Sequence, residues 1–234
     1  MFYKLSITAE LERVEQMFNA KFKYPFLYES EPIINGLQEQ SIPIIRNTSP
    51  KEINHAIWGI LPPDFREDWE DFQTLDNTLN IDVDDLNKRQ WVKDISEYNR
   101  CSILVTGFFT SFMHKGEVYP FYVYRKDKHP FALAGIYTKL EDGFFTTTVL
   151  TSQTENRYKS IHNLGNSMPI VLDDITSQFW LQGKGEINRE LLKDFVSPEL
   201  KAHPISKEFF KNNIIFDDIL KPAHYQKLPL LSLK

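Results

Sequence analysis

Six histidines, one cysteine and two acidic runs are the groups in this 234-residue chain best suited to chemistry. His55, His114, His129, His162, His203 and His224 are scattered, and no two have metal-ligand spacing. Cys101 is the lone thiol and cannot anchor a zinc site by itself, so no metal or cofactor is expected. Ser160-Ile161-His162 would put a hydroxyl and an imidazole on one face of a strand, but there is no GxSxG elbow to make the serine a nucleophile. The runs Glu67–Asp71 and Asp82–Asp85 could supply acid–base or metal-binding carboxylates. The simpler reading is a helix N-terminus, where acidic residues suit the dipole.

Position 2 decides whether a free α-amino group can join any of this chemistry. Removal of an initiator methionine requires a small second side chain, and the chain begins Met1-Phe2. Met1 is therefore expected to stay. Cys101 enters a β-branched run, where a buried, inert thiol is the expected state.

The elements that must position these groups form an α+β pattern. MFYKLSITAE reads as a first strand, and Leu11, Val14, Met17 and Phe18 mark a short amphipathic helix over residues 9–20. SIPIIRN (41–47) reads as a strand, AIWGILPPDF (56–65) as a strand ending in a double proline, and residues 75–95 as a loop leading into a helix. From Arg100 come CSILVTGFFTSF, VYPFYVYRK, PFALAGIYTKL and FFTTTVLTS, separated by turn signals, which predict an antiparallel meander. From about residue 171 the tail reads as helical, with Asp173–Leu181 and Asn188–Phe195 as candidates. No repeat or linker interrupts the chain, so one domain is expected over 1–234.

Composition sets the outer limits. Apolar residues make up 41% and include 18 Phe, enough for a sizeable core. A net charge of -5 argues against affinity based on neutralising phosphates. One cysteine permits no intrachain disulfide and suits a reducing compartment. No apolar run approaches the ~20 residues needed to span a bilayer, and no signal-like start is present, so a cytoplasmic location is expected.

Four stretches narrow the reading: WGILPP (58–63), NTLNIDVDDL (77–86), NRCSILVTGFFTSF (99–112) followed by PFALAGIY (130–137), and IHNLGNSMPIVLD (161–173). In this order they resemble the motifs of the SRAP family, the SOS-response-associated peptidase proteins that act on abasic sites in single-stranded DNA. Those motifs are a WGLIP-like strand, NARxET, RCLxPxxGFYEW, AGLW or AGIY, and IHxRMPxIL. The match spans about residues 1–182, leaving 183–234 as a helical tail. The resemblance implies a single α+β domain with a mainly antiparallel, barrel-like sheet core surrounded by helices.

In that family a cysteine at position 2 supplies thiol and α-amine, which close on the ring-opened abasic aldehyde as a thiazolidine. An asparagine, a glutamate and a histidine surround it, and arginines suit phosphate contacts. Carried over, the nucleophile position holds Phe2 and the glutamate position holds Thr110, whose hydroxyl is a poor acid or base. Asn80 and His162 keep the family residues. Asp82 and Ser167 stand where arginines belong, and Lys4 keeps a cation near the first strand.

The resemblance thus implies abasic-site processing as the ancestral activity, with crosslinking and autopeptidase chemistry expected to be lost here. One alternative is a noncovalent single-stranded DNA module that stacks bases on Trp58 to Phe65 and Trp69. Another is a small-ligand site reusing the cleft around Asn80, Thr110 and His162.

Overall fold

The computed structural model describes residues 2–211 and 218–229; the expected retention of Met1 lies outside them. The chain begins β1 (Lys4–Ile7), α1 (Leu11–Phe18), β2 (Lys21–Phe22), β3 (Glu31–Asn35), β4 (Ser41–Arg46) and β5 (Ser49–Trp58). It continues through α2 (Trp69–Leu75), β6 (Asn80–Asp82), α3 (Gln90–Tyr98), β7 (Arg100–Val105), β8 (Gly107–His114) and β9 (Glu117–Arg125). β10 (Phe131–Lys139), β11 (Phe145–Gln153), β12 (Ser167–Pro169), β13 (Val171–Leu172), α4 (Asp174–Gln182), α5 (Arg189–Leu192) and β14 (Leu200–Pro204) complete it.

Two sheets result. One runs β14-β9-β8-β1-β3, and the other follows β12-β11-β10-β7-β4-β5-β2. In the second, β11 also pairs with β5 in parallel (Thr146 with Ile57, Thr147 with Trp58), which closes β11, β10, β7, β4 and β5 into a ring. The barrel-like core is thus an actual strand closure, which leaves those five strands without a free edge. Its interior packs Ile42, Ile44, Trp58, Cys101, Ile103 and Leu133. α3 and α4 cover an outer cluster built from Val92, Ile95, Ala134, Ile136 and Trp180.

Several local expectations change. The stretch 99–112 is two strands in different sheets, because the chain crosses over at Thr106, whose N–H donates to Ser6. The meander is consequently two hairpins, β8–β9 and β10–β11, one in each sheet. The strand expected over 56–65 starts earlier and ends at Trp58, since Gly59 turns the backbone at φ +113° ahead of the double proline. Residues 80–82 form a short strand parallel to β11 within the expected loop. The tail is less helical than its composition suggests. α5 has four residues, and β14 pairs antiparallel with β9 at a sheet edge, where Pro204 is tolerated. The rest of the tail expectation falls partly outside the described residues. Among the described residues no helix is long and apolar enough to cross a membrane.

Candidate active-site cleft

β1 lies between β8 and β3, so the residues just before it are delivered into the molecule. Phe2 is 4% exposed. Its ring meets Phe108 edge-on at 6.1 Å and lies 5.4 Å from the His162 imidazole. From β6, the Asn80 amide donates to the Phe2 carbonyl. From β8, the Thr110 hydroxyl donates to Ile161 O at 2.9 Å and so fixes the loop that carries His162. Four positions separated by up to 160 residues thus meet around the start of β1: Phe2, Asn80, Thr110 and His162.

Polar groups here are incompletely satisfied. His162 is buried, and neither ring nitrogen makes a well-formed hydrogen bond among the described residues, the Ser167 backbone acting on the ring only as a minor influence that opposes burial. The Asn80 side-chain oxygen is likewise buried and unpartnered. Burial is the main influence on His162 and pushes its pKa below 6.5. A cavity of about 270 Å³ opens beside these groups, lined by Phe2, Lys4, Phe109, Thr110, His162 and Phe209, among others. No carboxylate lines it among the described residues.

Lys4, the cation kept near the first strand, does not reach the surface. It is buried, its Nζ donates to Phe209 O at 2.7 Å, and the ammonium stands 4.5 Å from the Phe209 ring. Burial lowers its pKa. Phe209 belongs to a short 3-10 turn, Lys207–Phe210, which follows β14 and sequence reasoning did not single out. Its only sequence signal is the aromatic pair Phe209-Phe210.

The two positions where the resemblance places arginines, Asp82 and Ser167, are joined. Ser167 Oγ donates to Asp82 Oδ2 at 2.7 Å, while Asp82 Oδ1 accepts from the Asp84 N–H and caps the following turn. Asp82 is therefore not an isolated repulsive charge. The base-stacking role does not suit the tryptophans: Trp58 is wholly buried with its indole N–H on Leu79 O at 2.8 Å, and Trp69 is 6% exposed. Residues 160–162 form a turn rather than a strand, which removes the shared face assumed for Ser160 and His162. In the acidic runs, Asp68 caps α2 through the N–H groups of Glu70 and Asp71, and Asp84 pairs with Arg189. Cys101 is buried, with its thiol pushed up to about 12 by desolvation.

Burial also holds His55 and His203 below 6.5, so all three histidines fold in the neutral form. Below about pH 6.5 the unfolded chain then binds more protons than the native one. Stability is expected to be full above that value and to fall as pH drops through the lower folded pKa values. Urea midpoints measured between about pH 7 and 5 should decline, and His162→Gln should flatten part of that slope. A flat profile would contradict the neutral burial of these rings.

A closed five-strand ring beside a second sheet, with a cleft assembled around the chain's first residues, defines an α+β protein whose site is built at its own N-terminal strand. Residues 1–212 match the family model described as SOS response associated peptidase (SRAP), and the chain belongs to that family. A Saccharomyces cerevisiae protein named as an abasic site processing protein is 24% identical over 194 residues, covering 79% of this chain. The chain spans about half of that relative's length, 51%. A crystal structure of a Bacteroides thetaiotaomicron protein superposes with a TM-score of 0.79 at 22% identity, covering 95% of this chain and all of the other. A Bordetella bronchiseptica protein gives 0.68 at 19% identity, covering 87% and 99%. These two likenesses establish a shared fold.

Proposed function

We propose that this chain descends from abasic-site-processing proteins and has lost their thiol-based crosslinking. The observation that carries the reading is Phe2: an aromatic core residue, buried and held through its carbonyl by Asn80, fills the nucleophile position. The hydroxyl of Thr110 is spent on Ile161 O, and the Asp82–Ser167 pair replaces two phosphate-binding cations. Single-stranded DNA as partner and residence in the cytoplasm belong to this same reading. The yeast relative's name supports the ancestral activity. Incubated with abasic single-stranded DNA, the protein is expected to give no SDS-resistant band; a band at ordinary yield would sink the proposal.

A second reading, a small-ligand site in the remnant cleft, is favoured by one observation. His162 presents two nitrogens without a well-formed hydrogen bond among the described residues beside the 270 Å³ cavity. Such groups are costly to bury and gain most from a ligand that bonds to them.

A further inference from the structure

A second cavity, of about 610 Å³, lies at the other end of β1 and shares no lining residue with the cleft at Phe2. That volume falls within the ~300–1,000 Å³ of small-molecule sites. Thr8, on its wall, stands six residues beyond Phe2, about 20 Å away at ~3.3 Å per residue. Three rings form one side of it. Tyr122 and Tyr124, two apart on β9 and so on one face, stack with centroids 5.4 Å apart and planes 15° from parallel. His203, from neighbouring β14, meets both edge-on at 6.0 and 5.3 Å. Its Nε2–H donates to Leu220 O at 2.8 Å, which holds the segment 220–222 at the cavity. Pro32 and Pro222 add flat apolar surface.

The polar groups around these rings favour a negative charge. Lys128 and Lys221 line the cavity and no carboxylate does among the described residues, although the whole chain carries a net charge of -5. Lys221 pairs with exposed Asp218 at 2.6 Å, whereas Lys128 has no ion-pair partner among the described residues. Lys128 also sits at φ +58°, a backbone conformation that suits glycine better. The Tyr124 hydroxyl makes no hydrogen bond among the described residues, while that of Tyr122 donates to Thr106 O at 3.2 Å. We propose that this cavity binds a planar aromatic anion, its ring against Tyr124 and its phosphate or carboxylate group on Lys128 and Lys221. Other ligand classes fit worse. A cation would meet two ammoniums, and a neutral hydrocarbon would leave Lys128 unpaired. A bare inorganic anion would gain only exposed lysines, whose pairs are worth little. Aromatic stacking supplies what those lysines lack. The site is independent of the cleft at Phe2 and of whether thiol chemistry is lost there.

Calorimetric titration of the full chain with 1-naphthyl phosphate near neutral pH is expected to saturate with a Kd of about 0.1–1 mM. Inorganic phosphate and 1-naphthylmethanol carry the charge or the rings alone, and each should bind at least about tenfold more weakly. Lys128→Gly removes the ammonium where the backbone already suits glycine, and should weaken binding about fivefold. Tyr124→Leu should weaken it about tenfold. Lys126→Gln deletes an exposed lysine that pairs with Glu199 and does not line the cavity, so it should leave binding unchanged. A second arm with 1-naphthoate assigns the anionic group: tighter binding of the phosphate points to a phosphate monoester, tighter binding of the carboxylate to an aromatic acid. No saturation by either aromatic anion below about 5 mM, equal binding of either partial ligand, or equal losses in Lys128→Gly and Lys126→Gln would overturn the proposal. The unaltered chain and Lys128→Gly keep the test decisive even where Tyr124→Leu misfolds.

Discussion

Phe2→Ala is expected to lower the unfolding free energy by about 3–5 kcal/mol, against about 1 kcal/mol for Phe2→Leu. The side chain is 4% exposed and packs against Phe108 and His162, so truncation leaves a void that a rigid strand between two neighbours cannot collapse to fill. An edge-on aromatic pair adds about 0.5–1.5 kcal/mol beyond buried area, and leucine forfeits that part. Asn80 binds the backbone carbonyl, which both variants retain, so the difference isolates the ring. Urea unfolding at pH 7.5, above the histidine window, provides the measurement. A loss under about 1 kcal/mol for alanine would remove Phe2 from the core.

The second large effect is a gain. Phe2→Cys with Thr110→Glu is expected to turn a protein that forms no SDS-resistant adduct into one that does. A cysteine at position 2 is small enough to permit methionine removal, which would supply thiol and α-amine together. Thr110 lines the 270 Å³ cavity, and loss of the Phe2 ring enlarges it, so a glutamate has room to reach the reacting centre. Asn80 and His162 are already in place. Phe2→Cys alone should give less adduct, because proton transfer by a positioned acid is worth about 10²-fold or more. If the double variant folds normally and forms none, the cations missing at Asp82 and Ser167 matter as much as the nucleophile. Restoring arginine at both positions would then be the decisive addition.

Much of this site could be read from the chain because it is set by ordered motifs. WGILPP, NTLNID, the Arg100-Cys101 strand and Ile161-His162 each occupy a fixed place in the fold, so Phe2, Asn80, Thr110 and His162 could be numbered before their meeting was seen. What was not legible depends on partners remote in sequence. Asp82 read as a lone anion because Ser167, 85 residues later, gives no local sign that it will donate to it. Lys4 could be placed as a cation near the first strand, but nothing local shows that a turn near residue 209 covers it. β14 was missed because Lys201, His203 and Pro204 look like loop residues and pair only at an edge. Trp58 misled in the opposite sense: an aromatic near a proline-rich loop suggested stacking on bases, but its backbone pairs beside Thr147 to close the ring of strands and its buried indole donates to Leu79 O.

The bond from Lys4 to Phe209 spans 205 residues and gives the protein a timetable. At a synthesis rate of about 5–20 residues per second, β1 waits roughly 5–20 s for β8 and roughly 10–40 s for the carbonyl that seals its lysine. Throughout that interval the nascent chain presents Phe2 and an unburied, fully charged Lys4 to the ribosome's surroundings. Maturation of the cleft is therefore among the last events of biogenesis, and a chain stalled before residue 209 would carry the barrel strands but leave its amine open to water.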